Sequence, residues 1–332
     1  MLPNGRRIGA HLPLGGGMVR AADRAAAIGA SAIQVFTDNP TSWRRRASPP
    51  DELAAFRARL VTHDIAPISI HAPYLVNLAG PEDSLFERSV ELLAHELRVA
   101  DTYGATFLNV HIGSHRGAGV DAGIERFADG LARVVDQAGN AAPGVTLVLE
   151  NGSGGGFGLG STIEELAMVE EAVLEAGVPS DRFAYCLDTA HLWGAGQPID
   201  TAAGVDEVVA AFDAALGLAR LRMVHLNDSR SELGSLADRH EHVGAGRIGA
   251  TGLGRMVTHP GLGHVVYMLE TPGMEDGYDA VNIARVVALA AGQPLRVLPP
   301  EAFETRSAKG RSAPADAADP AGAALDAPVQ GR

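Results

Sequence analysis

The sequence predicts an α/β chain closed into a (β/α)₈ (TIM) barrel, a single domain with a disordered C-terminal tail. Three observations predict it. Eight short, apolar, β-rich runs alternate with longer Ala-, Leu- and Glu-rich segments of helical spacing, the pattern of repeated βα units. The runs are nearly continuous in apolar residues, as suits parallel strands covered on both faces. The 332 residues accommodate one barrel of about 250 residues plus a tail.

The elements follow in order. A first strand is expected at 7–11 with a helix at 17–28, and a second strand at 32–37 with a helix at 51–61. The third strand, 68–71, precedes the clearest helix, 85–100, in which Leu85, Val90, Leu93, Leu97 and Val99 recur at helical spacing. The fourth and fifth strands, 107–111 and 146–150, lead into helices at 119–135 and 162–176. Ser161 lies three residues before Glu164, the spacing of a capping box at the start of the latter. The sixth, seventh and eighth strands, 183–188, 222–225 and 265–270, precede helices at 202–216, 249–256 and 278–289. Residues 1–298 are assigned to the barrel. Residues 299–332, rich in Ala, Pro and Asp, bury too little apolar surface to offset their ordering entropy and are assigned to the tail.

Composition narrows the function. Apolar residues make up 46%, enough for a sizeable core. A net charge of −13 argues against coating nucleic acid by bulk positive charge, though not against a local basic groove. One cysteine, Cys186, excludes a disulfide within the chain and a Cys-only zinc site, so a bound metal would draw on His, Asp and Glu. No run approaches the roughly 20 apolar residues of a membrane span, and the N-terminus lacks a signal-peptide pattern. A cytoplasmic enzyme is therefore expected.

The chemistry gathers at one place in each unit. The strands end in His11, His71, His111, Glu150, Asp188, His225 and Glu270. In a (β/α)₈ barrel these ends meet at the C-terminal face, where active sites of that fold sit. Buried, unpaired carboxylates and imidazoliums cost several kcal/mol, and coordination to a cation removes that cost. Mixed imidazole and carboxylate donors suit Zn²⁺ or Mn²⁺. Asp188 and His191 are three apart; alone, the pair reads as a helix cap beside an incidental histidine. Asp238 and His240, two apart, point the same way in an extended segment. His63, His95, His259 and His264 lie outside the set.

The wording around these positions resembles a known family. Gly9-Ala10-His11, the run His71 to Leu78, Asn109 to His115, Leu149-Glu150-Asn151, Cys186 to His191, His225 to Ser229, Asp238 to Gly244 and Leu269-Glu270-Thr271 resemble endonuclease IV, the family 2 AP endonucleases. The likeness runs from about residue 7 to about residue 292. It implies a zinc-dependent phosphodiesterase of base excision repair that cuts double-stranded DNA 5′ to an abasic site, leaving a 3′-hydroxyl and a 5′-deoxyribose phosphate, with a metal-bound hydroxide as nucleophile. It further implies three zinc ions per chain. His71, His111 and Glu150 would hold one; Glu150, Asp188, His225 and Glu270 a second; His191, Asp238 and His240 the third. Glu150 would be the catalytic residue. His11, His115, Asn151 and Asn227 would orient ligands or touch substrate. Tyr74 and Leu75 stand at the family's wedge positions. In the second loop Thr41 replaces an intercalating Arg, and Asp38 stands where a basic residue is common; Asn39 and the run Arg44, Arg45 and Arg46 are then expected to contact DNA. The expected partner is abasic duplex, the expected state a monomer, with no membrane. Two rival readings remain: a sugar isomerase on a xylose-isomerase-like barrel, which has no need of His191, Asp238 and His240, and a non-catalytic abasic-site binder, against which the intact ligand set argues.

Overall fold

The computed structural model describes residues 1–304 and contains the expected barrel. Eight parallel strands close on themselves: β1 (Ile8–His11), β2 (Ala32–Val35), β3 (Ile68–His71), β4 (Phe107–His111), β5 (Thr146–Glu150), β6 (Phe183–Asp188), β7 (Leu221–His225) and β10 (Val266–Leu269). The ring closes through β1 against β10, with Ile8 beside Tyr267 and Ala10 beside Leu269. Strand bounds depart from the sequence reading by at most two residues at any end.

The long helices surround the ring: α1 (Met18–Ala27), α2 (Leu53–Thr62), α3 (Asp83–Tyr103), α4 (Val120–Ala138), α5 (Ile163–Glu175), α7 (Ala202–Leu216), α8 (Gly249–Thr258) and α9 (Tyr278–Ala290). Their apolar faces and the outer strand faces form the main core, with Phe56, Phe127, Tyr185, Phe212 and Tyr267 fully buried. A second, smaller core of Ala32, Phe107, Val148, Cys186, Met223, Val266 and Met268 forms a separate buried cluster, drawn mainly from the strands themselves. Gly9 is required there: a Cβ on it would lie 2.4 Å from the Ala32 carbonyl oxygen. Gly104 ends α3 in the left-handed conformation (φ 69°, ψ 29°), where glycine carries no Cβ penalty.

Two local expectations are corrected. The cap of α5 sits one residue later: Thr162 accepts the Glu165 N–H, while the Glu165 carboxylate accepts the N–H of Ser161, the residue before the cap, at 2.8 Å. Thr162 has the extended backbone that a cap needs, which sequence spacing alone does not reveal. The folded part passes residue 298: Pro300–Glu304 forms a 3₁₀ turn with Ala302 buried, and the His242 ring bonds the Ala302 carbonyl at 2.9 Å. The rest of the expected tail, from residue 305, lies outside the described residues. Two elements were not expected. A six-residue helix, α6 (Thr189–Gly194), follows β6, and a short antiparallel ribbon pairs β8 (Asp228–Ser229) with β9 (His240–Glu241). No described helix is long and apolar enough to cross a membrane.

Candidate metal centre

Parallel register brings the donors to one level. His111 pairs with Glu150 across β4 and β5, Asp188 with His225 across β6 and β7, and His71 with Asn109 across β3 and β4. His191 arrives on α6, one turn past Asp188, whose Oδ1 accepts the His191 N–H at 2.9 Å. Asp188 is therefore both a helix cap and a member of the cluster, so the two readings of the D-x-x-H spacing coexist. The β8–β9 ribbon carries His240 inward, with Asp238 just before it. Glu270 follows β10.

Three groups of donor atoms lie within 4.8 Å of one another: His71, His111 and Glu150; Glu150, Asp188 and His225; Asp188, His191 and His240. Glu150 belongs to two groups and Asp188 to two. Asp238 reaches His240 Nε2 at 2.9 Å and His191 Nε2 at 3.4 Å, and Glu270 reaches His225 Nδ1 at 3.5 Å. All nine positions singled out as ligands in the sequence thus converge. Asp188 stands closer to the His191 and His240 group than the family assignment requires.

The imidazoles are oriented from behind. The Nδ1 atoms of His71, His191 and His240 lie 2.7, 2.9 and 2.9 Å from the backbone oxygens of Ala72, Asn151 and Glu270. Each Nδ1–H donates there, which leaves Nε2 with a lone pair aimed at the cluster, as metal-binding histidines require. His240 Nε2 is buried and in no hydrogen-bond geometry, although Asp238 and Asp188 stand at 2.9 and 3.6 Å. Donor atoms this close together are of the kind that can share a cation. The carboxylates are held as firmly. Asn109 Nδ2 donates to Glu150 at 2.5 Å, and Asn227 Nδ2 to Asp188 at 2.7 Å. The Asn151 side-chain oxygen accepts the Asp188 N–H at 2.6 Å. Gln34 Nε2 donates to Glu270 at 2.7 Å, and His11 Nδ1 lies 3.2 Å from the same oxygen.

The electrostatics favour a cationic occupant. Burial opposes charge on His240, yet Asp238 and Asp188 push it up to about 9. Burial also opposes charge on His191, and the same two carboxylates carry it well above its ordinary value. Burial works to raise Glu150, and the imidazoles of His111 and His225 overcome it and hold the carboxyl well below the usual range. His71, deep in the floor, is pushed down to about 4 by burial and stays neutral, the form that binds metal. Five imidazoles and four carboxylates without a thiolate suit a borderline or hard divalent cation such as Zn²⁺ or Mn²⁺. Cys186, buried and pushed up to about 12 by burial, is not among the donors.

The DNA-contact expectations fare unevenly. Tyr74 is 56% exposed on the rim, its ring 5.8 Å from His71 and 5.3 Å from Phe36; Leu75 is half-buried. Arg44 is exposed. Arg45, expected on DNA, turns inward and pairs with buried Glu96 of α3 at 2.9 Å, because a buried carboxylate needs a partner. Arg46 is taken up by Asp38 at 2.7 Å. Asn39 is exposed, and its side-chain oxygen accepts from the backbone and hydroxyl of Thr41. His115 stands apart from the donors: its Nδ1 accepts the Gly119 N–H and its ring packs on Phe157, so it organises its own loop. Sequence reasoning missed Gln34, Asn109 and Ser69, whose hydroxyl donates to the Gln34 side-chain oxygen at 3.1 Å. Each is a fully buried polar residue inside an otherwise apolar strand, and that interruption was the available signal.

A family model for the xylose isomerase-like TIM barrel matches residues 22–294. A probable endonuclease 4 of Methanoculleus marisnigri is 39% identical over 85% of this chain and 98% of its own length. One from Haloarcula marismortui is 38% identical over 85% and 98%. The crystal structure of endonuclease IV from Thermus thermophilus superposes with a TM-score of 0.74 at 38% identity, over 86% of this chain and 99% of that one. A D-tagatose 3-epimerase-like protein shares the barrel alone, at 18% identity and a TM-score of 0.63.

Proposed function

Since the chain belongs to the endonuclease IV family of xylose isomerase-like TIM barrels, we propose that it is a zinc-dependent AP endonuclease acting on abasic sites in duplex DNA. The observation that supports this most is the overlap of three donor groups through Glu150 and Asp188. His71, His111 and Glu150 would hold one ion; Glu150, Asp188, His225 and Glu270 a second; His191, Asp238 and His240 the third, with Asp188 alongside. When bound, divalent ions supply Lewis-acid charge to phosphoryl oxygens and lower the pKa of water toward neutrality.

The chain's own residues do the positioning. Glu150 spans two groups, and Asn109 fixes the direction of its carboxylate. Asn151 and Asn227 hold Asp188 from two sides, and Gln34 and His11 hold Glu270. Tyr74 and Leu75 would enter the stack where the nucleotide leaves it. Extruding a nucleotide takes a few kcal/mol, least where the base is already missing, which is one source of selectivity for abasic sites. The enzyme is expected to work as a monomer in the cytoplasm. The test is metal analysis of freshly purified protein beside incision of a duplex with one abasic site. About three zinc ions per chain and a 3′-hydroxyl product are expected. Full activity with one metal or none, or an uncut duplex, overturns the proposal.

A further inference from the structure

Two βα loops beside the metal centre hold backbone conformations that their side chains oppose. Arg116, in the loop after β4, has φ +47°, and Phe157, in the loop after β5, has φ +63°. Left-handed backbone is disfavoured for L residues, most of all bulky ones, and such positions gather at functional sites. In Gly152-Ser153-Gly154-Gly155-Gly156-Phe157-Gly158, Phe157 is the one side chain larger than serine. Its neighbours Gly154 and Gly156 take the same backbone region without strain. Backbone demands alone would therefore place glycine at 157.

The loops are fastened to each other. Ser114 and Gly158 form a β-bridge, and the Ser114 hydroxyl donates to the Gly156 carbonyl at 2.5 Å. The His115 N–H donates to the Phe157 carbonyl at 3.1 Å, and the His115 ring meets the Phe157 ring edge-on at 5.3 Å. Phe157 is nonetheless 61% exposed. The ring is held in place and presented to solvent. A groove of about 460 Å³ passes these loops and reaches His111, Glu150, His191 and Asp238. Arg116 lines it and is exposed, and it is the one guanidinium among the groove's described lining residues. The cation matters because Arg45 and Arg46 are already paired.

We propose that Arg116 and Phe157 form a two-part contact for the DNA strand: Arg116 takes a backbone phosphate in the groove, and Phe157 stacks on a base of the strand nearby. The proposal rests on the nuclease reading and goes beyond it in naming two residues and separating their chemistry. A guanidinium on phosphate releases counterions and is salt-dependent. An aromatic ring under a base is not, and tolerates any sequence.

The experiment compares wild type with Arg116→Ala, Phe157→Ala, Phe157→Gly and Phe157→Trp in steady-state incision of one abasic duplex across a salt series. Arg116→Ala should raise KM and make its salt dependence shallower by about one phosphate contact. Phe157→Ala and Phe157→Gly should raise KM by about fivefold or more with the salt dependence unchanged, and Phe157→Trp should restore it. The kcat should stay within about twofold throughout, since neither residue touches the reacting atoms. Phe157→Gly should leave the unfolding temperature unchanged or higher, because glycine suits the backbone; a packing role predicts a fall. Wild-type KM and salt slope in both alanine variants would overturn the contact while leaving the nuclease reading intact. A fall in unfolding temperature for Phe157→Gly without rescue by Phe157→Trp would overturn the stacking half. Failure of wild type to incise would overturn the nuclease reading and the contact together.

Discussion

The donors on strand ends and the donors on the seventh loop are held in different ways. His71, His111, Glu150, Asp188 and His225 are the last residues of β3 to β7, and inter-strand register fixes their level. They cannot move unless the barrel moves. Asp238 and His240 sit on a long excursion between β7 and α8, and the Asp238 side chain is 44% exposed. Asp228 is the side chain that fastens the far end of that excursion. Its buried carboxylate accepts the N–H groups of Ser229, Gly246, Ile248 and Gly249 at 2.8–3.3 Å. One part of the centre is thus built by the barrel register, and the other by a loop fastened through the β8–β9 pairing, the His240–Glu270 contact and the Asp228 carboxylate. The strand-borne part should fail all at once, and the loop-borne part on its own.

The largest effect is expected where the strand-borne part is broken directly. Glu150→Gln keeps the shape and removes the charge shared by two donor groups, so incision of abasic duplex should fall about a thousandfold or more. Circular dichroism should be unchanged and the metal count should drop by more than one; near-normal incision would refute the role given to Glu150. Next in size is Arg45→Ala, which strands Glu96, 1% exposed in its side chain, inside the protein. Breaking such a pair costs about 3–5 kcal/mol, read by denaturant unfolding. The salt dependence of DNA binding should not change, whereas a shallower slope would return Arg45 to the DNA surface.

A smaller change should follow from Asp228→Ala. It orphans buried backbone donors, at about 1–3 kcal/mol for an unsatisfied group. Elemental analysis should show one metal lost and the strand-borne ones retained. Loss of all metals would mean that the two parts are not separable. Smallest is Thr41→Arg on the exposed second loop. One more phosphate contact should steepen the salt dependence by about one charge and tighten binding by less than about tenfold, measured by fluorescence anisotropy on abasic duplex. No steepening would mean that the strand does not pass this loop.

The same division explains what could be read from the sequence. Seven of the eight barrel strands were legible because an apolar run ended in an ionisable residue, as in Leu149-Glu150 or Leu187-Asp188. The chemistry marked the C-terminal ends that periodicity alone leaves vague. The six residues of α6 were too few to show a period, and the two-residue strands of the ribbon carry no pattern at all. The inward turn of Arg45 was missed because the whole Arg44–Arg46 run was assigned to DNA as one surface. The sign lay elsewhere in the chain: Glu96 falls between Leu93, Leu97 and Ala100 on the buried face of α3. A carboxylate in an apolar stripe needs a cation, but spacing does not say which arginine arrives. Asp228 belongs to the family wording, yet its grip on four amides depends on a loop path that no local pattern encodes.

The seam between the first and last strands has a consequence for the protein's manufacture. His11 and Glu270, 259 residues apart in the chain, meet there, and Glu270 in turn faces His225. A nascent chain that has made the first seven strands has no eighth side of the ring on which to seat them. Contacts of such long sequence separation form late and slowly. A ribosome-bound or truncated chain would therefore carry most of the donors without the closed mouth that brings them to one point. On the proposed nuclease reading, cutting power would arrive only with the final strand, and an unfinished copy would leave DNA intact.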